Sequence, residues 1–556
     1  MRALIFGHHS YRAIGTFVFF ALILCQAGAA LGAITFHQSA TRVDAWDYIE
    51  VTALITRPAA ANPFTQVEFT GEVQSGTAAL VKVDGFCDST DGSLFRIRFM
   101  PVRPGPHSYN VTLRQGDFTE THTGTFTARP GKHPGLVQVD REHPSHFVYA
   151  HTGQHFFWNS TTTYWLLGWQ DDAIIRESLE RLAKLKVNRI RVALNARTTD
   201  GLRWGEPDVK PSSAFQFRVE PWPAARPPDI ANPGYDTTRF NLELWRKCEW
   251  MLACARRLGI QVSLIFYLDG EDIGVDPFGK AAMGGADERR YYRYAAARLA
   301  AFDNVMWDVT NEWHLFRDEA WVNATGEFLK RCDPYGHLMS VHGHGDFPFS
   351  KSAWPDFAQF QSWDEHGAYG FITETRRQQA ATGRVIPQIN EEYGYEDHYP
   401  FPWGEKRLWP ARIGETRGRI AWEITMAGGY QTTGERANVP GCGGWITGRG
   451  NDQMTMLAGY ARMRNFFEQF AWWKLEPRAD LVSTNAYCLV EPGNRCVVYL
   501  RDGGAATAQL EPGRWSVQRF DPRTARYEKL PGSAGGNWTS PVQPKNENWV
   551  FLLERN

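Results

Sequence analysis

The chain has 556 residues, a net charge of −1 and no long block of lysine or arginine. This length holds about three or four domains, or fewer if one of them is a large barrel. The balanced charge provides no basic surface for nucleic acid or for an anionic membrane, so we expect neither as a partner. Aromatic residues make up 14 %, including 22 tryptophans, and such flat rings suit a protein that stacks on sugars.

Residues 1–29 have the pattern of a secretory signal peptide. Basic residues precede the apolar stretch 16–32, and Ala27-Gly28-Ala29 forms a small-residue cleavage site. A transmembrane anchor is the alternative, but the strongly apolar part is shorter than the ~20 residues that a span needs. Lipoprotein processing at Cys25 is disfavoured by the leucine before it. We therefore expect a secreted or periplasmic protein.

Residues 30–132 have an all-β pattern. Short runs alternate apolar with polar residues and are separated by Gly, Pro, Asn and Asp, which is typical of strands in an antiparallel sandwich. The clearest runs are 48–55, 65–73, 95–102, 107–113 and 120–128. We predict an Ig-like β-sandwich here.

Residues 133–474 alternate strand-like runs with segments of helical period. Eight candidate strands in this βα alternation predict an α/β fold, a (β/α)8 TIM barrel. Residues 475–556 return to short strands and predict a C-terminal β-sandwich. The expected architecture is therefore a TIM barrel flanked by two β-sandwich domains.

Two acidic residues lie where chemistry is expected in such a barrel. Reactive groups project from the C-terminal ends of the strands. The fourth run, 304–309, is followed by Asn311 and Glu312, and the seventh, 385–390, by Glu391 and Glu392. Positions 312 and 392 are 80 residues apart, about 27 for each of three βα units and close to the ~31 of a 250-residue barrel. We therefore expect two carboxylates on opposite walls of one barrel mouth.

Paired carboxylates at one pocket are what the cleavage of a glycosidic bond requires. We predict that Glu312 is the proton donor, with its pKa raised by a nearby negative charge and partial burial. Glu392 would stay ionised and attack the anomeric carbon, giving retention of configuration. Glu391 is the alternative nucleophile, because neighbouring strand residues point to opposite faces and only one can line the pocket.

The motifs around both glutamates resemble known families. Residues 307–312 (WDVTNE) are similar to the Asn-Glu acid/base motif after strand four of clan A glycoside hydrolases, and residues 392–394 (EYG) to their nucleophile motif after strand seven. The spacing of Pro387, Glu392, Tyr395 and Glu396 resembles the apiosidase-like family. Both resemblances imply a (β/α)8 barrel and select Glu392 as the nucleophile.

The resemblance extends to both sides of the barrel. Residues 62–64, 84–86 and 95–101 look like the β-sandwich that often precedes such barrels, and the C-terminal segment is similar to a collagen-binding-type domain named for a collagenase. At the acid the chain departs from the apiosidase-like pattern. That family tends to have Gly-Asp after strand four, where this chain has Asn311-Glu312.

Further residues are candidates for binding the substrate. The resemblance to the clan implies that Arg191 holds the nucleophile's carboxylate with bidentate hydrogen bonds and that Asn311 bonds the sugar 2-hydroxyl. His366 follows strand six and is a candidate hydrogen-bonding partner of the substrate or nucleophile. Tyr393 follows the nucleophile, and Trp445 follows a glycine-rich stretch and could form a stacking wall.

The sequence implies no cofactor and no metal. The seven cysteines of the predicted mature chain show no CxxC spacing, although Cys488 and Cys496 flank a turn and are either bridged or two buried thiols. His342 and His344 share a strand face, which leaves a metal-dependent hydrolase as one alternative.

The sequence thus predicts a secreted, retaining glycoside hydrolase whose partner is a carbohydrate substrate. The alternative from another class is a non-catalytic carbohydrate-binding or adhesion protein on a barrel scaffold, for which the flanking sandwiches and abundant aromatics would serve.

Overall fold

An eight-stranded parallel sheet forms the centre of the molecule. The computed structural model describes residues 32–270, 274–398, 412–533 and 535–556, so the predicted signal peptide falls outside the described residues. The strands are β1 (Ser160–Thr162), β2 (Arg189–Ala193), β3 (Gln261–Ile265), β4 (Val305–Asp308), β5 (Met339–Ser340), β6 (Ala358–Gln361), β7 (Gln388–Glu392) and β8 (Tyr430–Thr433). They follow each other around the sheet in chain order, with β1 beside β8, and a parallel bridge between His342 and Gln359 joins β5 to β6. The predicted (β/α)8 barrel is confirmed.

Helices connect the barrel strands. They are Asp172–Lys184, Leu242–Arg257, Ala286–Leu299, Glu319–Cys332, Ala368–Ala381, Gly414–Met426 and Met456–Phe467. The segment between β5 and β6 contains the 3₁₀ turn Pro348–Lys351. Several helices begin at a side-chain cap; Asp318, for example, accepts a hydrogen bond from the backbone nitrogen of Trp321 at 2.8 Å. None of the helices in the described part of the chain has the length and apolar character needed to cross a membrane.

Strand β4 explains how the sequence reaches the barrel mouth. All four of its residues are buried, as expected for a parallel strand covered on both faces. Trp307 packs stacked on Phe266 at 5.8 Å, whereas Asp308, on the opposite face, lies 3.7 Å from Arg191. The next residues, Asn311 and Glu312, lie beyond the strand at its C-terminal end.

The interior of the barrel contains buried charges. Arg189 and Arg191 on β2 both form ion pairs with Glu391 on β7, with 3.0 Å between Arg191 Nε and Glu391 Oε1. Burial raises the pKa of Asp308 to about 7, although Arg191 opposes this shift. These opposite charges compensate each other where water is excluded.

Two sheets precede the barrel and form the predicted N-terminal sandwich. The first contains Ile34–Gln38, Ile49–Ile55, Leu94–Phe99 and Phe86–Cys87. The second contains Arg42–Asp44, Phe118–Arg129, Gly105–Gln115, Val67–Ser75 and Val81–Asp84. A small antiparallel sheet of Val137–Val139, Phe147–Tyr149 and His155–Phe156 leads into the barrel.

The N-terminal sheets contact the barrel through buried charge. Arg98 Nη1 lies 2.6 Å from Glu249 Oε1 and donates to the carbonyl oxygen of Arg298 at 2.7 Å. The Arg298 guanidinium in turn lies 3.0 Å from Asp88. Because these side chains are largely buried, the contact has a fixed geometry.

The C-terminal residues form a six-stranded antiparallel sheet and a two-stranded one. The first contains Glu476–Pro477, Ala486–Glu491, Arg495–Leu500, Trp549–Arg555, Trp515–Asp521 and Arg526–Ser533, and the second Thr507–Leu510 and Gly536–Thr539. Cys488 and Cys496 are buried free thiols, and the strand register pairs them with Val498 and Val490. The domain boundaries at residues 132 and 474 stay predictions.

Candidate active site

A cavity of about 510 Å³ lies at the C-terminal ends of the barrel strands. Four of the predicted site residues line it: Asn311, Glu312, Glu392 and Trp445. Glu312 follows the end of β4 and Glu392 is the last residue of β7, in agreement with their expected positions at the barrel mouth. The cavity therefore brings both predicted carboxylates to one space.

Glu392 lies on a buried wall of this cavity, at the end of β7. The Tyr164 hydroxyl donates to Glu392 Oε2 at 3.1 Å, and Arg191 Nη1 lies 4.0 Å from the same oxygen. Burial raises the pKa of Glu392, while Arg191 and hydrogen bonds from Tyr395 and Tyr164 lower it. Burial is the larger effect, so the Glu392 carboxylate is harder to ionise than a solvated glutamate.

Glu312 has an unusual backbone conformation for a residue with a side chain. Its φ is 43° and its ψ 55°, and it begins the short helix Trp313–Phe316. A left-handed backbone at a non-glycine residue costs about 1–3 kcal/mol and persists only where the surrounding structure holds it. Asn311 Nδ2 lies 3.4 Å from Glu312 Oε2. With its amide oriented to satisfy its neighbours, Gln361 donates to Glu312 Oε1 at 3.0 Å.

The amide oxygen of Asn311 lies in a cluster of donors. Arg191 Nη2 donates to it at 2.9 Å and His342 Nδ1 lies 2.8 Å away. Burial, followed by nearby cations such as Arg191, holds the pKa of His342 well below its usual range, so this histidine is neutral. With the oxygen held, the Asn311 nitrogen is the group left to face a substrate hydroxyl.

Arg191 differs from the expected geometry. The family resemblance implied bidentate hydrogen bonds to the nucleophile, but Arg191 Nη1 lies 4.0 Å from Glu392 Oε2. The guanidinium instead donates to the Tyr164 hydroxyl at 2.8 Å and pairs with Glu391. The reason is electrostatic, because Glu391 and Asp308 in the barrel interior also attract the Arg191 charge.

Two further predicted residues lie away from the cavity lining. Tyr393 is buried, and its hydroxyl contacts the Tyr460 hydroxyl and the backbone carbonyl oxygen of Arg417. His366 is exposed and is not among the described residues that line the cavity; its backbone nitrogen donates to Asp364. His398, from the loop after β7, lines the cavity instead.

Trp445 forms part of an aromatic wall. Its ring stacks on that of Tyr395, with centroids 4.2 Å apart and an interplanar angle of 6°. Trp204 and Trp363 also line the cavity. Rings arranged in this way provide apolar faces on which sugars stack.

Sequence reasoning missed several lining residues. They are Tyr164, Arg203, Trp204, Asp269, Leu315, Gln361, Trp363 and His398; His344 also lines the cavity but was considered only as a possible metal ligand. Tyr164 and Gln361 could have been found by examining the residues at the ends of strands one and six as well as four and seven. Three others, Arg203, Trp204 and His398, come from long loops. The sequence pattern of such loops does not predict their conformation.

The metal alternative gains no geometric support in the described part of the chain. No group of three or more His, Cys, Asp or Glu residues with the spacing of a metal site occurs there. His342 is turned to Asn311, while His344 is exposed and contacts His314 with ring centroids 5.7 Å apart.

Comparison with known families agrees with this geometry. The profile described as "Apiosidase-like, catalytic domain" matches residues 142–433, more than half of the chain. The protein therefore belongs to the apiosidase-like family. A domain of unknown function, DUF5060, matches residues 42–114 in the N-terminal sheets.

Solved structures share the fold. A candidate glycoside hydrolase from Bacteroides vulgatus ATCC 8482 has a TM-score of 0.74 at 21 % identity, covering 93 % of this chain and 100 % of that chain. A glycoside hydrolase family 5 protein from the same organism has a TM-score of 0.59 at 15 % identity, covering 76 % and 94 %. At these identities the likeness is one of fold. A comparison with curated proteins found no match.

Proposed function

We propose that this protein is a secreted glycoside hydrolase that cleaves an oligosaccharide or polysaccharide with retention of configuration. Membership of the apiosidase-like family and the shared fold support a glycosidase. The observation that carries the proposal is that Glu312 and Glu392, from β4 and β7, line one cavity. Two carboxylates at one sugar site are the groups that double displacement requires.

In the first step, Glu392 attacks the anomeric carbon and forms an ester with the sugar. The glycosidic C–O bond breaks, its electron pair leaves with the aglycone oxygen, and Glu312 protonates that oxygen. In the second step, Glu312 removes a proton from water, and the water oxygen displaces Glu392 from the anomeric carbon. Glu312 is thereby reprotonated and Glu392 is regenerated as a carboxylate.

The surroundings of the two glutamates suit these roles. Glu392 accepts a hydrogen bond from Tyr164 and faces the Arg191 charge, which favour its ionised form against the effect of burial. Glu312 is only partly buried and contacts the side-chain amides of Asn311 and Gln361. Asn311 presents its amide nitrogen for a hydroxyl of the sugar beside the bond that breaks.

Substitution of each glutamate tests the assignment. A panel of aryl glycosides in pyranose and furanose forms first identifies a substrate. Glu392→Gln should then lower kcat at least 1,000-fold, a loss of about 4 kcal/mol of transition-state stabilisation. Glu312→Ala should slow glycosides with poor leaving groups much more than those with nitrophenolate, because only the former need the proton.

The stereochemistry of the first product completes the test. The proton NMR spectrum of the fresh product should show the anomer of the substrate. An inverted product, or near-normal turnover by both variants, would contradict the mechanism. Binding of the sugar without turnover by the unmodified protein would favour the non-catalytic alternative.

Secretion is part of the proposal and depends on residues 1–29. Their basic, apolar and small-residue segments match a cleavable signal peptide. Expression with and without these residues, followed by cell fractionation, tests it. Cytoplasmic retention of the full chain would contradict secretion.

A further inference from the structure

The hydroxyl of Tyr164 is the centre of a buried hydrogen-bond network at the wall of the cavity. Its oxygen accepts a hydrogen bond from Arg191 Nη1 at 2.8 Å and lies 3.1 Å from the Tyr395 hydroxyl. Two acceptors lie within reach of its own proton, Glu392 Oε2 at 3.1 Å and Asn311 Oδ1 at 3.3 Å. A phenol has one proton to donate, so only one of these acceptors receives it.

The partners of Asn311 decide where that proton goes. An amide oxygen has two lone pairs. Arg191 Nη2 at 2.9 Å and His342 Nδ1 at 2.8 Å already occupy them, and both are closer than Tyr164. His342 is neutral and faces an acceptor through Nδ1, so Nδ1 carries its proton. The Tyr164 proton is therefore left for Glu392.

We propose that Tyr164 is a positioning residue that connects Arg191 to the nucleophile and stabilises the ionised form of Glu392. This proposal rests on the proposed function, because it assigns the role of Tyr164 relative to Glu392 in that reaction. Arg191 is 4.0 Å from Glu392 Oε2 but only 2.8 Å from the Tyr164 hydroxyl. Its hydrogen bond polarises the phenol and strengthens the phenol as a donor to the carboxylate.

The same contact distinguishes the two oxygens of Glu392. Tyr164 and the nearest nitrogen of Arg191 both face Oε2. Oε1 is then the oxygen that forms the bond to the anomeric carbon, and Oε2 becomes the carbonyl oxygen of the ester. Tyr164 keeps its proton throughout and donates it to Oε2 in both states. The bond is stronger to the anion than to the ester, so its main effect is on the pKa of Glu392.

Replacing Tyr164 with phenylalanine tests the proposal. Tyr164→Phe removes one hydroxyl and keeps the ring. Because the ionised form of Glu392 loses a donor, its pKa rises, and the acidic limb of the kcat/KM profile should move to higher pH. At pH values below the shifted limb, kcat/KM of the variant should be lower than that of the unmodified protein on the order of 10- to 100-fold. The difference should disappear as the pH rises above the limb.

Tyr294 provides a matched control elsewhere in the barrel. It is also buried, its hydroxyl donates to the carbonyl oxygen of Cys87 at 2.9 Å, and it accepts from Arg298 Nη1 at 2.8 Å. Tyr294→Phe removes the same kind of bond, with a similar expected cost in stability, but lies outside the cavity lining described for the site. It should leave the shape of the pH profile unchanged.

A fluorinated tyrosine at position 164 tests the same bond without removing it. Site-specific 3-fluorotyrosine is a stronger donor than tyrosine, so the acidic limb should move to lower pH, opposite to Tyr164→Phe. This variant also decides the matter if Tyr164→Phe does not fold. A limb that stays fixed in the fluorinated protein, or a Tyr164→Phe profile that matches Tyr294→Phe, would overturn the proposal. Normal turnover by Glu392→Gln would instead overturn the proposed function itself.

Discussion

Two adjacent glutamates on β7 have different environments. Glu391 is buried among the barrel charges and pairs with Arg189 and Arg191, whereas Glu392 lines the cavity. The alternation of side chains on a strand predicts that only one can face the pocket. An irregular register, which pairs Gln361 of β6 with Glu392, accompanies this arrangement. The sequence alone does not contain that register, so motif resemblance was needed to select Glu392.

Substituting each of the pair should separate stability from activity. Glu391→Gln leaves two buried guanidinium groups without their full counter-charge, so the free energy of unfolding should fall by about 3–5 kcal/mol. Glu392→Gln should lower it much less, because burial already disfavours the charge of Glu392. Denaturant unfolding of both variants measures this. Equal losses would contradict the division of roles.

The pH dependence of activity follows from Glu392. Burial raises its pKa above the ordinary glutamate value of 4.5, and the nucleophile must be ionised. Activity should therefore be present above this raised pKa and be lost as the pH falls through it. The profile of kcat/KM against pH, limited to pH values at which the fold persists, should show an acidic limb above 4.5. Full activity at pH 4 would contradict this account.

The position of a residue at the barrel mouth was predictable where that residue ends or follows a strand. Asn311, Glu312 and Glu392 follow buried apolar runs, so a pattern places them at the mouth. His366 follows a strand too, but its loop turns it to solvent and brings in His398 from another loop. Such choices depend on contacts between distant segments, which local pattern does not encode.

At the scale of elements, the loops after β6 and β7 are joined by one carboxylate. Glu365 is buried; it lies 2.8 Å from Arg412 Nε and also pairs with Arg417. The Arg412 guanidinium lies 4.7 Å from the ring centroid of Trp363, and Arg417 donates to the carbonyl oxygen of Tyr393 at 2.8 Å. Glu365 thereby orients one wall of the cavity.

We predict that Glu365→Gln weakens substrate binding more than the chemical step. Without the charge, the two arginines lose their common partner and Trp363 loses its fixed orientation, so KM should rise about 10-fold with a smaller change in kcat. Glu374→Gln is the control, because Glu374 pairs with Arg377 at the surface of the following helix. An unchanged KM in Glu365→Gln would show that the ion pairs of Glu365 with Arg412 and Arg417 have no role in substrate binding.

Regular elements were predictable because their residues repeat. The eight barrel strands follow from buried runs separated by helical segments. The paired strands Ala196–Arg197 and Arg218–Val219, inside the long insertion after β2, were not predicted. The left-handed turn at Glu312 was not predicted either, since a glutamate gives no signal for positive φ.

At the scale of the whole molecule, the barrel and the C-terminal sheet share apolar contacts. Trp422 of the barrel stacks on Tyr499, with centroids 5.5 Å apart, and Phe466 lies 4.9 Å from Phe520. Composition shifts along the sequence predicted separate sandwiches, but not that their residues would complete the barrel's core. Such complementarity is a property of two surfaces and cannot be derived from either pattern alone.

Because they share this core, the barrel and the C-terminal sheet should unfold together. Phe520→Ala removes a buried ring between them and should lower the free energy of unfolding by about 3–5 kcal/mol in one transition. Phe118→Ala, at a ring that is 38 % exposed in the N-terminal sheets, is the control and should cost much less. Two separate transitions, with only one moved by Phe520→Ala, would show that the parts are independent.

The most direct test of the account is covalent trapping of the nucleophile. A 2-deoxy-2-fluoro glycoside with an activated leaving group slows both steps but allows the ester to accumulate. After incubation with the protein, peptide mass spectrometry should find one sugar attached to Glu392, and Glu392→Gln should not be labelled. A label on Glu391, or hydrolysis of the parent glycoside with inversion and no label, would contradict the central claim.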